Sequence, residues 1–263
     1  MAASALAASG ANTFLQSAEG PTEGKSEAKG REFYQLRHYL LSSGPQRKLC
    51  DDFFRNALVP ALNRLGITPV GVFAVSIGSG NSAFYVLMPS ASAETLAVVE
   101  THLAQDSAYM KTAAPFLNAP AAQPSFNRME SILLQAFEKT PKLILPAATT
   151  ARSPRIFELR TYESPSDQDH RRKVEMMESG VDDIFTKYGF TRVFYGDGLF
   201  GTLLPSLTYL LAFDNLADRE KKWAAFAGSP EWKKLSTEPR YSFEAIVSNI
   251  NNIILAPTDY SQI

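Results

Sequence analysis

The residues with the most chemistry lie on two short segments, Gln35-Leu-Arg37-His38-Tyr39 and Glu158-Leu-Arg160-Thr-Tyr162. Each joins a guanidinium to a phenol, and one adds a carboxylate. An arginine withdrawn from water must be paired, since deleting the partner of a buried ion costs about 3 to 5 kcal/mol. Glu158 is the natural partner for Arg160 or Arg37. The set Gln35, Arg37, Tyr39, Glu158, Arg160 and Tyr162 therefore reads either as a network fixing the register of two sheets or as the polar wall of a small-ligand pocket. In the second reading a tyrosine or arginine could stabilise an enolate-like anion. No catalytic residue is assigned.

Other motifs fail on their surroundings. Gly196-Asp-Gly-Leu-Phe-Gly201 fits G-x-G-x-x-G, but no helix starts there to meet a pyrophosphate, and Pro205 with Leu207 to Phe213 predicts a hairpin. Ser26-Glu-Ala-Lys29 fits S-x-x-K within a polar leader, where no packed site forms. His170 with Arg171, Arg172 and Lys173 reads as a solvated basic face. His38 could be a haem ligand or a base, yet it shares parity with Tyr34, Leu36 and Leu40, which predicts a core histidine on the helix-facing side. Cys50 reads as a packing thiol or a surface cysteine, with no neighbouring histidine to activate it.

Composition narrows the classes. The chain has 263 residues, 26 Lys plus Arg, 27 Asp plus Glu and a formal net charge of -1, so no field draws it to nucleic acid or anionic lipid. One cysteine and three histidines are too few for a dedicated metal cage, and no metal or cofactor is predicted. No apolar run reaches the ~20 residues of a spanning helix. Residues 1–30 form a leader, Ala/Ser-rich and then polar, that reads as a flexible linker or as the remnant of an export signal without its basic start. A soluble protein follows, periplasmic or extracellular if the remnant is real and cytoplasmic otherwise. Homo-oligomerisation is left open, and so is the identity of a small-molecule or protein partner.

The chain repeats itself. Arg31 to Tyr39 and Pro154 to Tyr162 align with Arg37 on Arg160, an offset of 160 - 37 = 123, which also carries Gly66 onto Gly189, Ala104 onto Ala227 and Lys111 onto Lys234. Two halves result, 31–146 and 154–263, each reading strand, helix, strand, strand, helix, strand. Helices stop at Gly66 and Gly189, and Pro60 predicts a kink in the first. The closing strands fall near Phe126 to Phe137 and near Ser242 to Ile254, with Glu130 on Glu244, an offset of 244 - 130 = 114. The fold class is α+β: two ferredoxin-like βαββαβ halves, packed sheet to sheet as a single-chain pseudo-dimeric α/β barrel. Strand parity places Gln35, Arg37, Tyr39, Glu158, Arg160 and Tyr162 between the sheets, and Trp223, Phe226 and Trp232 of the second helical segment in half two should be mostly buried against their sheet.

The twin Gln/Glu-Leu-Arg-x-Tyr strands, the Ser229-Pro-Glu-Trp-Lys-Lys234 segment and the closing Ile253-Ile-Leu-Ala-Pro257 resemble the NIPSNAP family over residues 31 to 263. The resemblance implies a dimeric α/β-barrel fold, a superfamily shared with cofactor-free monooxygenases and haem-degrading enzymes, and no agreed catalytic residues. Half one departs from the pattern, with Gln35 for the acidic residue and Ala108-Tyr109 where half two has Glu231-Trp232. A site, if present, falls in half two. Two functions stay open: a non-catalytic small-ligand-binding or assembly module, and a cofactor-free or haem-related monooxygenase.

Overall fold

The computed structural model describes residues 30–42, 44–78 and 82–263, so the leader and Ser26-Glu-Ala-Lys29 lie outside the described residues. The first half runs β1 (Phe33–Leu40), α1 (Gly44–Phe53), a π-helical turn (Phe54–Leu58), α2 (Val59–Arg64), β2 (Gly71–Ile77), β3 (Ala83–Ser90), α3 (Ala93–Ala97), α4 (Val99–Gln105), α5 (Ser107–Leu117) and β4 (Arg128–Ala136). After the short α6 (Ala147–Thr150) come β5 (Ile156–Glu163), α7 (Asp167–Met176), a π-helical turn (Met177–Val181), α8 (Asp182–Lys187), β6 (Thr191–Phe200) and β7 (Ser206–Phe213). The chain closes with α9 (Leu216–Gly228), α10 (Pro230–Ser236), α11 (Phe243–Ile246) and β8 (Asn249–Pro257).

The offset of 123 holds from β1 to β3: β1 maps onto β5, α1 onto α7 and β3 onto β7, residue for residue. Gly66 and Gly189, with φ of 78° and 73°, end α2 and α8 in the left-handed conformation that glycine adopts without penalty. Pro60 is not what widens the first helix into a π turn. Asp183 occupies its place in half two, and the same turn forms there at Met177–Val181. The closing strands correct the expected register. Leu134 pairs with Tyr34 and Leu255 with Phe157, so the offset there is 255 - 134 = 121, and Glu244 belongs to α11 rather than to β8. A single shared glutamate was too little to set a strand register.

The strands form one closed antiparallel barrel in the order β1-β3-β2-β8-β5-β7-β6-β4. Each half contributes four adjacent strands, and the halves join edge to edge through β2 with β8 and β4 with β6. The expected single-chain α/β barrel is present, closed by edge pairing and not by two separate sheets facing each other, because pairing the edges satisfies backbone groups that a two-sheet sandwich would leave open. Helices cover the outside of both halves.

Three apolar clusters result, one under each set of helices and one inside the barrel. Tyr34 and Leu36 of β1 and Phe157 and Leu159 of β5 point into the barrel, whereas Tyr39 and Tyr162 pack under the helices. The parity read from the sequence is thus reversed. Both faces of β1 carry large side chains, so apolarity did not distinguish them. The enclosed interior takes the face with fewer charges, and the helix layer supplies polar partners for the other. His38 shares the inward face with Leu36 and lines an interior pocket, contrary to the helix-facing placement expected for it.

The expected hairpin joins β6 to β7, but most of the glycine-rich segment belongs to β6, which runs on to Phe200, and only Gly201 lies in the turn. Gly196 and Gly198 sit within β6, paired with Ala136 and Leu134. Gly201, at φ 136°, brings the turn so close to β4 that a Cβ would lie 2.5 Å from the Ser131 carbonyl oxygen. Among the described residues no helix is long and apolar enough to cross a membrane, and no three His, Cys, Asp or Glu gather as metal ligands.

Candidate functional site

Glu158 leaves β5 toward α9 and is fully buried. Its carboxylate accepts hydrogen bonds from Arg219 Nε at 3.0 Å and NH2 at 2.6 Å, from Trp223 Nε1 at 2.6 Å and from Arg160 NH1 at 2.9 Å. Arg219 and Trp223 reach it together because they stand one turn apart on α9. Asn215 caps that helix, its side chain accepting from the Asp218 amide. One carboxylate is thus shared by two guanidinium groups, which leaves an excess of positive charge below α9.

Arg160 is held on its other side. Its NH2 donates to the Tyr162 hydroxyl at 2.8 Å, and its guanidinium lies 4.4 Å from the centre of the Trp223 ring. Its Nε is buried without a partner. The Tyr162 and Tyr209 rings stack at 5.8 Å, and burial, reinforced by Tyr162, pushes the Tyr209 phenol well above its ordinary range.

Lys173 enters from α7. Its ammonium lies 4.7 Å from the Tyr162 ring centre and 3.8 Å from the Met176 sulfur, and among the described residues no carboxylate stands within ion-pair reach. Burial, then the neighbouring charge of Arg160, holds it down at about 8. Arg160, Tyr162, Lys173, Tyr209, Trp223 and Trp232 share the wall of a cavity of about 160 Å³. Phe185 and Phe226 complete an aromatic lining. A space near 150 Å³ accommodates a benzene-sized molecule. The arrangement suits a planar ligand with one acidic group, because the aromatic walls take the ring and Lys173 lacks a counter-ion.

The six candidate residues do not form one site. β1 and β5 stand four places apart in a ring of eight strands, which puts Gln35, Arg37 and Tyr39 on one flank and Glu158, Arg160 and Tyr162 on the other. Arg37 pairs with Glu100 of α4 at 2.6 Å and donates to Gln35 at 3.1 Å, and Gln35 donates to Ser131 at 3.0 Å. Both arginines are paired as expected, but against helices and not between sheets. Trp223 and Trp232 are half-buried against the aromatic cluster and Phe226 is buried. The basic cluster on α7 is a solvated face only in part: Arg171 is exposed and Arg172 half-exposed, whereas His170, whose Nε2 meets Asp197 at 2.6 Å, and Lys173 are buried. Cys50 is buried, and desolvation, then Asp51, pushes its thiol up to about 12, which makes it a poor nucleophile.

Tyr209 and Arg219 escaped the sequence reading, which also placed Lys173 on a surface and Trp223 in the core and neither in the site. The repeat carried a signal for all four. At offset 123 they replace Cys50, Val86, Leu96 and Glu100, so a lysine, a tyrosine and an arginine stand where the first half has small or apolar side chains.

A closed eight-stranded barrel made by two repeats, with helices outside each, defines the dimeric α/β-barrel class realised in a single chain. Within it the chain belongs to the NIPSNAP family, whose model matches twice, at residues 34–138 and 157–262. No curated protein matches. Among solved structures, a putative monooxygenase from Lactobacillus acidophilus is similar at 9% identity and a TM-score of 0.53, covering 86% of this chain and 94% of its own. An anthrone oxidase-like protein is similar at 11% identity and a TM-score of 0.52, covering 88% and 93%. An uncharacterized NIPSNAP-like domain protein from Burkholderia xenovorans shares 22% identity over 41% of this chain and 88% of its own, with a TM-score of 0.37.

Proposed function

We propose that the chain is a small-ligand-binding module and that the second-half cavity takes a planar aromatic acid or acidic phenol. The observation that carries the reading is Lys173, a buried ammonium without a carboxylate beside an aromatic-lined cavity of about 160 Å³. A ligand anion would supply the missing counter-charge, and Arg160 with the tyrosine pair would orient it. Both tryptophans of the chain, Trp223 and Trp232, line this cavity, so their fluorescence reports on it alone. Benzoate and 4-nitrophenolate are expected to quench that fluorescence saturably in the wild type and not in Lys173→Met, with benzyl alcohol far weaker. No saturation by either anion up to about 10 mM, where binding is worth less than about 3 kcal/mol, would overturn the reading.

A cofactor-free monooxygenase is the second reading, favoured by Lys173 being held at about 8. An amine with that pKa can take a proton from an activated methylene near neutral pH. The resulting carbanion would react with dioxygen, one oxygen atom becoming the product carbonyl and the other leaving as water. The fold shared with putative monooxygenases and an anthrone oxidase-like protein supports this branch. Haem does not fit, since a cavity suited to a benzene-sized ligand is far smaller than a porphyrin. Phenylacetone, a single ring bearing an activated methylene, is the test in an oxygen electrode: uptake of one dioxygen per ketone, lost in Lys173→Met, is expected, and a rate equal to that in buffer would sink it.

A further inference from the structure

A second pocket, of about 220 Å³, lies inside the barrel at the end where β1 and β5 finish. It is lined by repeat-related pairs: His38 with Thr161, Tyr85 with Thr208, and Glu130 with Asn251. Half one supplies every titratable group and half two only hydroxyls and an amide. The His38 ring stacks on Tyr85 at 4.3 Å and 4°, and its Nδ1 faces Glu130 Oε2 at 3.4 Å. A carboxylate at Nδ1 keeps the proton there, which leaves Nε2 with a lone pair. That Nε2 is buried without a partner. Burial lowers the imidazole's pKa against the opposing pull of Glu130, with Arg128 also lowering it, which favours the neutral form of the ring.

An unsatisfied buried acceptor is unfavourable, and here it borders a space far larger than one water requires. Around it Leu36, Ile132, Leu159 and Ile253 form an apolar wall. Thr161 and Thr208 hydroxyls lie 3.0 Å apart; one proton joins them and the other is left over for an acceptor. Leu203, on the β6–β7 turn, lines the pocket while remaining half exposed, with exposed Phe200 and Leu204 beside it, so the way in is apolar. Glu130 disfavours anions. This pocket therefore selects opposite chemistry to the one holding Lys173.

We propose that the axial pocket is a separate binding site for a small neutral alcohol or phenol, whose hydroxyl donates to His38 Nε2 while its hydrocarbon packs on the leucines and isoleucines of the wall. The chain has three histidines, so selective ¹⁵N labelling gives three imidazoles to follow by NMR. Phenol and cyclohexanol are expected to move the Nε2 resonance of His38 saturably, and to do so unchanged in Lys173→Met, which separates this site from the second-half cavity. Toluene and methylcyclohexane should bind at least tenfold more weakly, and His38→Phe, which keeps a ring against Tyr85, should lose phenol binding at least tenfold. If that variant does not fold, the wild-type titrations still decide. No movement of the His38 resonance, movement confined to His102 or His170, or equal affinity for phenol and toluene would overturn the proposal.

Discussion

Beneath its helices the first half holds Arg37 with Glu100 and a filled core of Phe54, Val86, Cys50 and Leu96, while the second places Met177, Tyr209, Lys173 and Arg219 in those positions. From the first strand to the first helix of each half the backbones match residue for residue, so the difference there lies in side chains. Glu100 is largely exposed, and its pair with Arg37 sits at the rim. Glu158 is buried and serves three donor side chains. The first half completes the same fold with one ion pair and an otherwise apolar core, so a polar cluster as large as that of the second half is not required by the fold. Polar groups retained where apolar ones suffice are candidates for function, since natural proteins commonly give up stability at sites of activity.

The largest expected effect is on Glu158. Glu158→Ala strands Arg160 and Arg219 with no carboxylate and should cost about 3 to 5 kcal/mol in urea denaturation, against under about 1 kcal/mol for Gln35→Ala at the equivalent place. Equal losses would erase the contrast between the halves. Lys173→Met should act in the opposite direction. The drop from 10.5 to about 8 corresponds to about 3 kcal/mol, and the lowered value means the folded state disfavours the charged form. Below pH 8 the penalty is fully present; it fades as the pH rises to about 10.5. The variant should be more stable than the wild type by about 2 to 3 kcal/mol at pH 7, and the gap should close by about pH 10.5. A less stable variant at pH 7 would mean that Lys173 is structural.

Met177→Phe imports the first half's Phe54 into the cavity wall. It should change stability by about 1 kcal/mol or less while weakening benzoate at least tenfold, measured by tryptophan quenching. Undiminished binding would place the ligand elsewhere. Glu100→Gln should cost about 1 to 2 kcal/mol: the carboxylate is mostly in water, but the Arg37 it pairs with is buried, and the amide oxygen of the variant can still accept from it.

The duplication, the succession of strands and helices along each half and the helix-ending glycines were legible because spacing and backbone conformation leave marks in the sequence. Strand parity was not. Tyr34, Leu36 and His38 on one face and Phe33, Arg37 and Tyr39 on the other are comparably bulky, and only partners distant in sequence, Glu100 and Arg219 among them, decide which face the helices cover. Lys173 was visible as the residue opposite Cys50, yet a lysine near a helix start reads as surface until its burial is known. His38 was singled out and assigned to the wrong layer for the same reason of parity.

Closure of the ring has a consequence for synthesis. β2 bonds to β8, with Phe73 opposite Pro257, and β4 bonds to β6, so both seams join the halves rather than neighbours in the chain. At roughly 5 to 20 residues per second, the first half leaves the ribosome about 6 to 25 s before the strand that seals β2 is made. During that interval the open margins of β2 and β4 can pair with any extended chain nearby, including another first half. A nascent copy thus has two competing fates, sealing with its own second half or docking to a neighbour, and the rate of translation across residues 147–257 sets how long the competition lasts.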